Sequence, residues 1–256
     1  MISMYFKFED KNIFYKIRES KSSKALIFVH GSGGNLNTWK SQMDLDIKYD
    51  LIALDLPSHD KSDSFPDLSL DLYVKVLHQL IKNFHYESVI LCGHSLGGAI
   101  IQQYYFTFPK NVSGLILCDT GGKLKVAPFI LDSLRNNYSK FLEDLPAGAF
   151  YRSTPKELIE LYVEETSRIG AEVTYTDFKI CDNFDVLNKL SIIDVPCLIV
   201  VGKQDKLTPV KYSEYFQDKI KNSELQIINK AGHMVMVEKP VEFNQVIKDF
   251  INKYFL

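Results

Sequence analysis

Three side chains of this sequence could together carry out nucleophilic acyl chemistry: Ser95, Asp205 and His233. Ser95 is the middle of Gly93-His94-Ser95-Leu96-Gly97. The apolar run Ser88-Val89-Ile90-Leu91-Cys92 precedes it, and Ala99-Ile100-Ile101-Gln102-Gln103-Tyr104-Tyr105 follows. This pattern predicts a strand, a sharp turn and a helix, with the serine hydroxyl held out at the top of a sheet. Glycine is required at 93 and 97 because the bend packs strand against helix too closely for β-carbons. A free serine hydroxyl is a poor nucleophile, so the turn matters only if a histidine and an acid can meet it.

Both partners occur near the C-terminus, each at the end of a predicted strand. Pro196-Cys197-Leu198-Ile199-Val200-Val201 is a short, continuously apolar run, as expected of a strand buried on both faces. Gly202-Lys203-Gln204-Asp205 follows and puts Asp205 in the loop at its carboxyl end. Leu225-Gln226-Ile227-Ile228-Asn229 is a further strand candidate, and Lys230-Ala231-Gly232-His233 puts His233 in the loop after it. Sites in parallel α/β sheets gather outside the carboxyl ends of strands. A fourth part lies upstream, where Lys24-Ala25-Leu26-Ile27-Phe28-Val29 leads into His30-Gly31-Ser32-Gly33-Gly34. A glycine-rich loop there can aim a backbone N–H at a developing oxyanion. The expected donors are the N–H groups of Ser32 and of Leu96, the residue after the nucleophile.

Taken together, the motifs resemble the α/β-hydrolase superfamily over nearly the whole chain, in particular the small capped carboxylesterases and the related lactonases and carbon–carbon bond hydrolases. The order serine, acid, histidine is the order of that family. Met4 to Arg18 is similar to the family's opening hairpin. Asp55-Leu56-Pro57-Ser58-His59-Asp60-Lys61-Ser62-Asp63 resembles its Asp-Leu-Pro-Gly-His-Gly-x-Ser-Asp segment, and Gly232-His233-Met234-Val235-Met236-Val237-Glu238-Lys239-Pro240 its histidine loop. Ser58 and Asp60 replace glycines the family usually has, so a differently shaped loop is expected there. The resemblance implies a mostly parallel eight-stranded sheet with helices on both faces and a helical cap inserted after strand 6. Residues 1–121 and 194–256 would form the core and 122–193 the cap.

The elements support that organisation. Strand candidates end near His30, Asp55, Gly93, Asp119, Gly202 and Asn229, and most are separated by one helix length, as at Leu70–Phe84 and Ala99–Phe108. Gly122 to Ile193, some 70 residues, is too long for one crossover helix. It carries helical patterns at Pro128–Phe141, Pro155–Ile169 and Ala171–Cys181, the second with Thr154 as its cap. Its aromatics are Phe129, Tyr138, Phe141, Phe150, Tyr151, Tyr162, Tyr175, Phe178 and Phe184. Most are expected to bury against the core and the rest to give a pocket with largely apolar walls.

Each catalytic assignment has competitors. His78 and His85 fall on or beside a surface helix and are expected to be solvated. His94 should diverge from the Ser95 hydroxyl, His30 should brace the oxyanion loop, and His59 should be structural. Asp119 ends the preceding strand, where some family members carry their acid; its other reading is an anchor at the entrance to the cap. Trp39 is expected in the core.

The predicted activity is hydrolysis of a carboxylic ester of a small, largely apolar molecule through an acyl-enzyme, with no metal or organic cofactor. An enol-lactonase, thioesterase, lipase or carbon–carbon bond hydrolase would use the same residues. The last would want cations in the cap for a dienoate carboxylate, with Arg135, Arg152 and Arg168 as candidates. Dehalogenase and epoxide hydrolase relatives carry aspartate where this chain has Ser95. The alternative of another class is a ligand-binding protein on the same scaffold.

Composition sets outer limits. A 256-residue chain that is 46% hydrophobic can bury one large core. A net charge of -2 argues against a nucleic-acid partner. No run reaches the ~20 apolar residues of a membrane span, and charges interrupt the N-terminal segment where a signal peptide is apolar. Cys92, Cys118, Cys181 and Cys197 form no Cys-x-x-Cys pair, and three lie in strand candidates, so a reduced, cytoplasmic setting is expected.

Overall fold

The computed structural model describes residues 1–256. Its strands are β1 (Ile2–Phe8), β2 (Lys11–Arg18), β3 (Lys24–Val29), β4 (Asp50–Leu54), β5 (Ser88–His94), β6 (Gly114–Cys118), β7 (Cys197–Gly202) and β8 (Ser223–Ile228). They form one sheet in the order β1-β2-β4-β3-β5-β6-β7-β8. β2 runs antiparallel to both its neighbours, and every pairing from β4 across to β8 is parallel. β3 to β7 are buried on both faces, which is why they read as unbroken apolar runs.

Alternation along the strands divides the core in two. Ala25, Ile27, Val29, Leu91, Leu115, Leu117 and Ile199 face α1 (Leu70–Phe84), α2 (Leu96–Thr107) and Phe216. Leu26, Phe28, Ile90, Cys92, Ile116, Leu198 and Val200 face Trp39 and the C-terminal helix. Trp39 is fully buried against Phe28 and Phe243, as expected for a core residue. No helix is long and apolar enough to cross a membrane.

Between β6 and β7 lie α3 (Pro128–Asn136), α4 (Tyr138–Ala149), α5 (Lys156–Ile169) and α6 (Ala171–Asn183). The single helix expected over Pro128–Phe141 is therefore two. Asn137 leaves the helical region (φ -154, ψ 71), and its side chain accepts from Lys140 N–H to start α4. Pro146 and Gly148 hid the second half of α4 in the sequence, but both sit in its last turns, where Pro146 C=O still accepts from Phe150 N–H. Thr154 does not cap α5; its hydroxyl donates to Glu238 instead.

The remaining helices are α7 (Val210–Lys219), the single turn α8 (Val235–Glu238) and α9 (Pro240–Phe255). Ser58 (φ 67) and Asp60 (φ 40) both adopt the left-handed backbone that glycine ordinarily supplies. The loop thus has a glycine-like path at these two positions, at a strain of roughly 1–2 kcal/mol per residue. His78, expected to be solvated, is half-buried, stacked on Phe108 at 3.8 Å and bonded to Tyr104 Oη at 3.2 Å.

The ends of β7 and β8 are locked together without side chains. A β-carbon on Gly202 would lie 2.0 Å from Gly232 O and 2.7 Å from Ala231 O, inside the loop that carries His233. Gly202→Ala is expected to destabilise the fold by roughly 1–3 kcal/mol. It should also push His233 off its acid, so the rate per folded site falls as well; thermal melts with active-site titration read both.

Candidate active site

Ser95 sits between β5 and α2 with φ 52 and ψ -113, a strained conformation for any residue but glycine. The close approach predicted for the flanking glycines is present. A β-carbon on Gly93 would lie 2.3 Å from Gly97 O, and one on Gly97 would lie 2.2 Å from Val29 O. Ser95 is half-buried, and it borders a cavity of about 610 Å³ together with Ser32, His94 and His233.

His233 and Asp205 are bonded directly. Nδ1–H of His233 donates to Asp205 Oδ2 at 2.9 Å. The carboxylate also accepts from the N–H groups of Leu207 (2.8 Å) and Thr208 (2.9 Å) and from the Thr208 hydroxyl (2.6 Å). Burial alone would raise the Asp205 pKa. The charge and hydrogen bond of His233, with the Thr208 bonds, outweigh burial and hold it well below the usual carboxylate range. This arrangement orients the imidazole with Nε2 left free of protein partners at the cavity wall. No hydrogen bond joins Ser95 to His233, but both border the same cavity.

The histidine loop is fixed from several sides. His233 N–H donates to Ala149 O at 2.8 Å, and the His94 ring donates through Nε2 to His233 O at 2.8 Å. Glu238 accepts from Gly232 N–H at 2.7 Å and from Tyr151 N–H at 2.8 Å. Burial and the neighbouring His233 lower the His94 pKa to about 3, so this ring is neutral. His30 is also neutral, lowered to about 3 by burial and by His59. Its Nδ1–H donates to Gly31 O at 2.9 Å, and its Nε2 accepts from Leu56 N–H at 3.1 Å. It braces the loop after β3, as expected.

Asp119 ties the end of β7 to the start of α8 rather than anchoring the cap entrance. Its oxygens accept from Gly202 N–H at 2.8 Å and Val235 N–H at 3.2 Å. Burial first, then the nearby Asp205 charge, raise its pKa well above the carboxylate range. Thr208 and Glu238 are site residues the sequence reading missed. The Asp205-Lys206-Leu207-Thr208 spacing was the available signal, because an aspartate three residues before a threonine favours a side-chain-bonded turn.

Ser32, which borders the cavity with Ser95, and Leu96, the residue after Ser95, each carry a backbone N–H near the nucleophile. No protein group accepts from the Ser32 N–H. The Leu96 N–H opens α2, ahead of the helix's first bond, Ala99 N–H to Ser95 O at 3.2 Å. Such a pair could stabilise negative charge on an oxygen between them. Of the nine aromatics in 122–193, Phe129, Phe141, Tyr162 and Phe178 line the cavity. Leu124, Ile130, Leu145 and Leu207 contribute to its apolar wall. Phe129 is 70% exposed and marks the mouth with Lys125, Lys206 and Lys211. Arg135, Arg152 and Arg168 do not line it. No cluster of side chains is suited to hold a metal ion.

A solved structure described as a thermophilic esterase superposes with a TM-score of 0.89 at 32% identity, covering 99% of this chain and 98% of that one. The monoacylglycerol lipase ABHD6 of Homo sapiens is 25% identical over 96% of this chain and 81% of its own length. A 2-hydroxy-6-oxononadienedioate/2-hydroxy-6-oxononatrienedioate hydrolase of Pseudomonas putida is 25% identical over 94% of this chain and 92% of its own. The family described as alpha/beta hydrolase fold matches residues 24–240. With the sheet order and the strained serine turn already in place, that match makes this chain a hydrolase of the alpha/beta-hydrolase fold family.

Proposed function

We propose that this chain is a serine hydrolase that cleaves a carboxylic ester of a small, largely apolar substrate through an acyl-enzyme. The carrying observation is the pairing of Ser95, on its strained turn, with a His233 whose Nδ1 is bound to Asp205 and whose Nε2 is free, both bordering one apolar cavity. In this reading His233 Nε2 takes the Ser95 proton as the hydroxyl oxygen attacks the ester carbonyl. The N–H groups of Ser32 and Leu96 bind the resulting oxyanion, and each such donor lowers the barrier by ~3 kcal/mol. His233 then passes the proton to the departing alkoxide. A water, deprotonated by the same nitrogen, attacks the acyl carbonyl and releases the acid. Asp205 keeps the proton on Nδ1 and stabilises the imidazolium at each stage.

Residues 122–193 act as the cap over a core made of 1–121 and 194–256. Phe141, Leu145, Tyr162 and Phe178 form the wall that receives the acyl group. An ester is favoured over a carbon–carbon bond substrate because the three cap arginines lie off the cavity and its lysines stand at the mouth.

A fluorophosphonate probe tests the proposal. One equivalent should add to the peptide containing Ser95 and abolish turnover of short p-nitrophenyl esters. Absence of labelling, or labelling elsewhere with activity intact, removes the mechanism. In a panel of esters, thioesters and lactones of graded acyl length, short and medium esters should lead. A preference for emulsified long-chain esters would make the enzyme a lipase, and activity on lactones alone a lactonase.

A further inference from the structure

We propose that Asp177, on helix α6, is a positioning residue for the reaction: its carboxylate sets the Ser32–Gly33 turn that presents the Ser32 N–H to the oxyanion. The proposal rests on the serine-hydrolase reading above. It also makes the seating of α6 part of the oxyanion site.

Asp177 is fully buried, although α6 is otherwise a helix of mixed polarity. A buried carboxylate is costly unless its oxygens are occupied. Here Oδ2 accepts from Gly33 N–H at 2.9 Å and from His59 Nε2–H at 2.9 Å, and Oδ1 accepts from the Tyr73 hydroxyl at 2.7 Å. The three donors come from three segments: the loop after β3, the loop after β4, and α1. His59 also donates through Nδ1 to Pro57 O at 2.9 Å, so both ring nitrogens face acceptors and the ring is the charged partner of Asp177.

The bonds fall on consecutive peptide planes. The Gly31–Ser32 plane, which carries the Ser32 N–H, is held at its oxygen by His30 Nδ1–H and by Gly34 N–H at 3.1 Å. The next plane, Ser32–Gly33, is held at its N–H by Asp177. With both planes fixed, the direction of the Ser32 N–H is fixed. Gly33 is left-handed (φ 62), and a β-carbon there would lie 3.0 Å from Thr174 and 3.2 Å from Thr166. Helices α5 and α6 therefore press directly on this turn. Cys181, one turn further along α6, adds an Sγ contact to Ser32 Oγ at 3.5 Å. If α6 moves away, Gly33 N–H loses its acceptor, the Ser32–Gly33 plane is released, and the plane carrying the Ser32 N–H keeps only the bonds at its oxygen.

The test compares Asp177→Ala with Asp177→Asn, each normalised to sites titrated by a fluorophosphonate. Alanine removes the acceptor; asparagine keeps an oxygen for Gly33 N–H. Asp177→Ala should lower kcat for a p-nitrophenyl ester about 30- to 100-fold, less than outright loss of an oxyanion donor, with KM within about threefold. Affinity for a trifluoromethyl ketone, which forms an oxyanion on Ser95, should fall by the same factor, while the matching methyl ketone binds nearly as before. Asp177→Asn should retain kcat within about fivefold, and Tyr73→Phe, which spares the Gly33 bond, should do the same. A lower melting temperature with unchanged kcat and unchanged trifluoromethyl ketone affinity in Asp177→Ala overturns the proposal. If that variant does not fold, Asp177→Ser decides by the same readouts. A Ser95→Ala enzyme that stays active would sink the serine reading instead, so the two failures are distinguishable.

Discussion

Ser95→Ala is expected to lower kcat for a p-nitrophenyl ester by about 10⁴- to 10⁶-fold, the scale seen when a serine hydrolase loses its nucleophile. The fold should be untouched. Alanine keeps the β-carbon, so it inherits the same backbone strain at φ 52, and only a half-buried hydroxyl without a hydrogen-bond partner is lost. The melting temperature should therefore stay within about 2 °C of wild type, and substrate should still bind. Ser95→Gly is the companion. It is equally inactive, but glycine adopts this conformation freely, so the relief of about 1–3 kcal/mol of strain opposes the entropy glycine adds to the unfolded chain. A glycine variant at least as stable as the alanine variant would show that strain is stored at the nucleophile. A Ser95→Ala enzyme retaining a tenth of wild-type kcat would mean that another group attacks the ester. Residual turnover near the expected floor measures what binding and the backbone donors contribute alone.

How far the residues announce this site depends on the range of the interactions that build it. Ser95, Asp205 and His233 each stand within a few residues of a strand end, and a buried parallel strand is legible as an unbroken apolar run. Their convergence then follows from topology, because β5 to β8 are consecutive in the sheet and their loops leave by the same edge. The sheet was legible for the same reason. The segment between β6 and β7 was less so. Asn137 divides what reads as one amphipathic stretch, and nothing local says that its side chain will cap the second helix rather than face solvent. Which aromatics line the cavity depends on how the helices α3 to α6 rotate on the core, and that is decided by contacts such as Tyr138 Oη–H to Thr166 O at 2.7 Å. Glu238 and Asp177 were illegible because each serves backbone groups 80 or more residues away, as in Tyr151 N–H to Glu238 and Gly33 N–H to Asp177. An acidic residue on a helix reads as a solvated one until the fold brings donors to it.

The choice of acid is the sharper quantitative question, because two carboxylates end adjacent strands, Asp119 after β6 and Asp205 in the loop after β7. Both are buried, and burial pushes each pKa up. What separates them is their partners. Asp205 has His233 on one oxygen and three Leu207 and Thr208 bonds besides, so it stays ionised. Asp119 has only two backbone N–H groups to offset burial and the neighbouring Asp205 charge, so its pKa is held well above the usual carboxylate range. Two acids pushed in opposite directions take different roles, and only the ionised one can hold an imidazolium. Asp205→Asn is therefore expected to lower kcat by about 10⁴-fold with little change in KM. The amide places an N–H against His233 Nδ1, which drives the ring proton to Nε2, where it cannot accept from Ser95. Asp119→Asn should act on stability instead. One of its two N–H partners, at the end of β7 or the start of α8, loses its acceptor, a loss of about 1–3 kcal/mol, while kcat per titrated site stays within about tenfold. Steady-state kinetics, active-site titration and thermal melts on the two variants separate these outcomes. A collapse of kcat in Asp119→Asn with Asp205→Asn near wild type would move the acid to the end of β6, and His233 would then have to turn about its side-chain bonds to reach it.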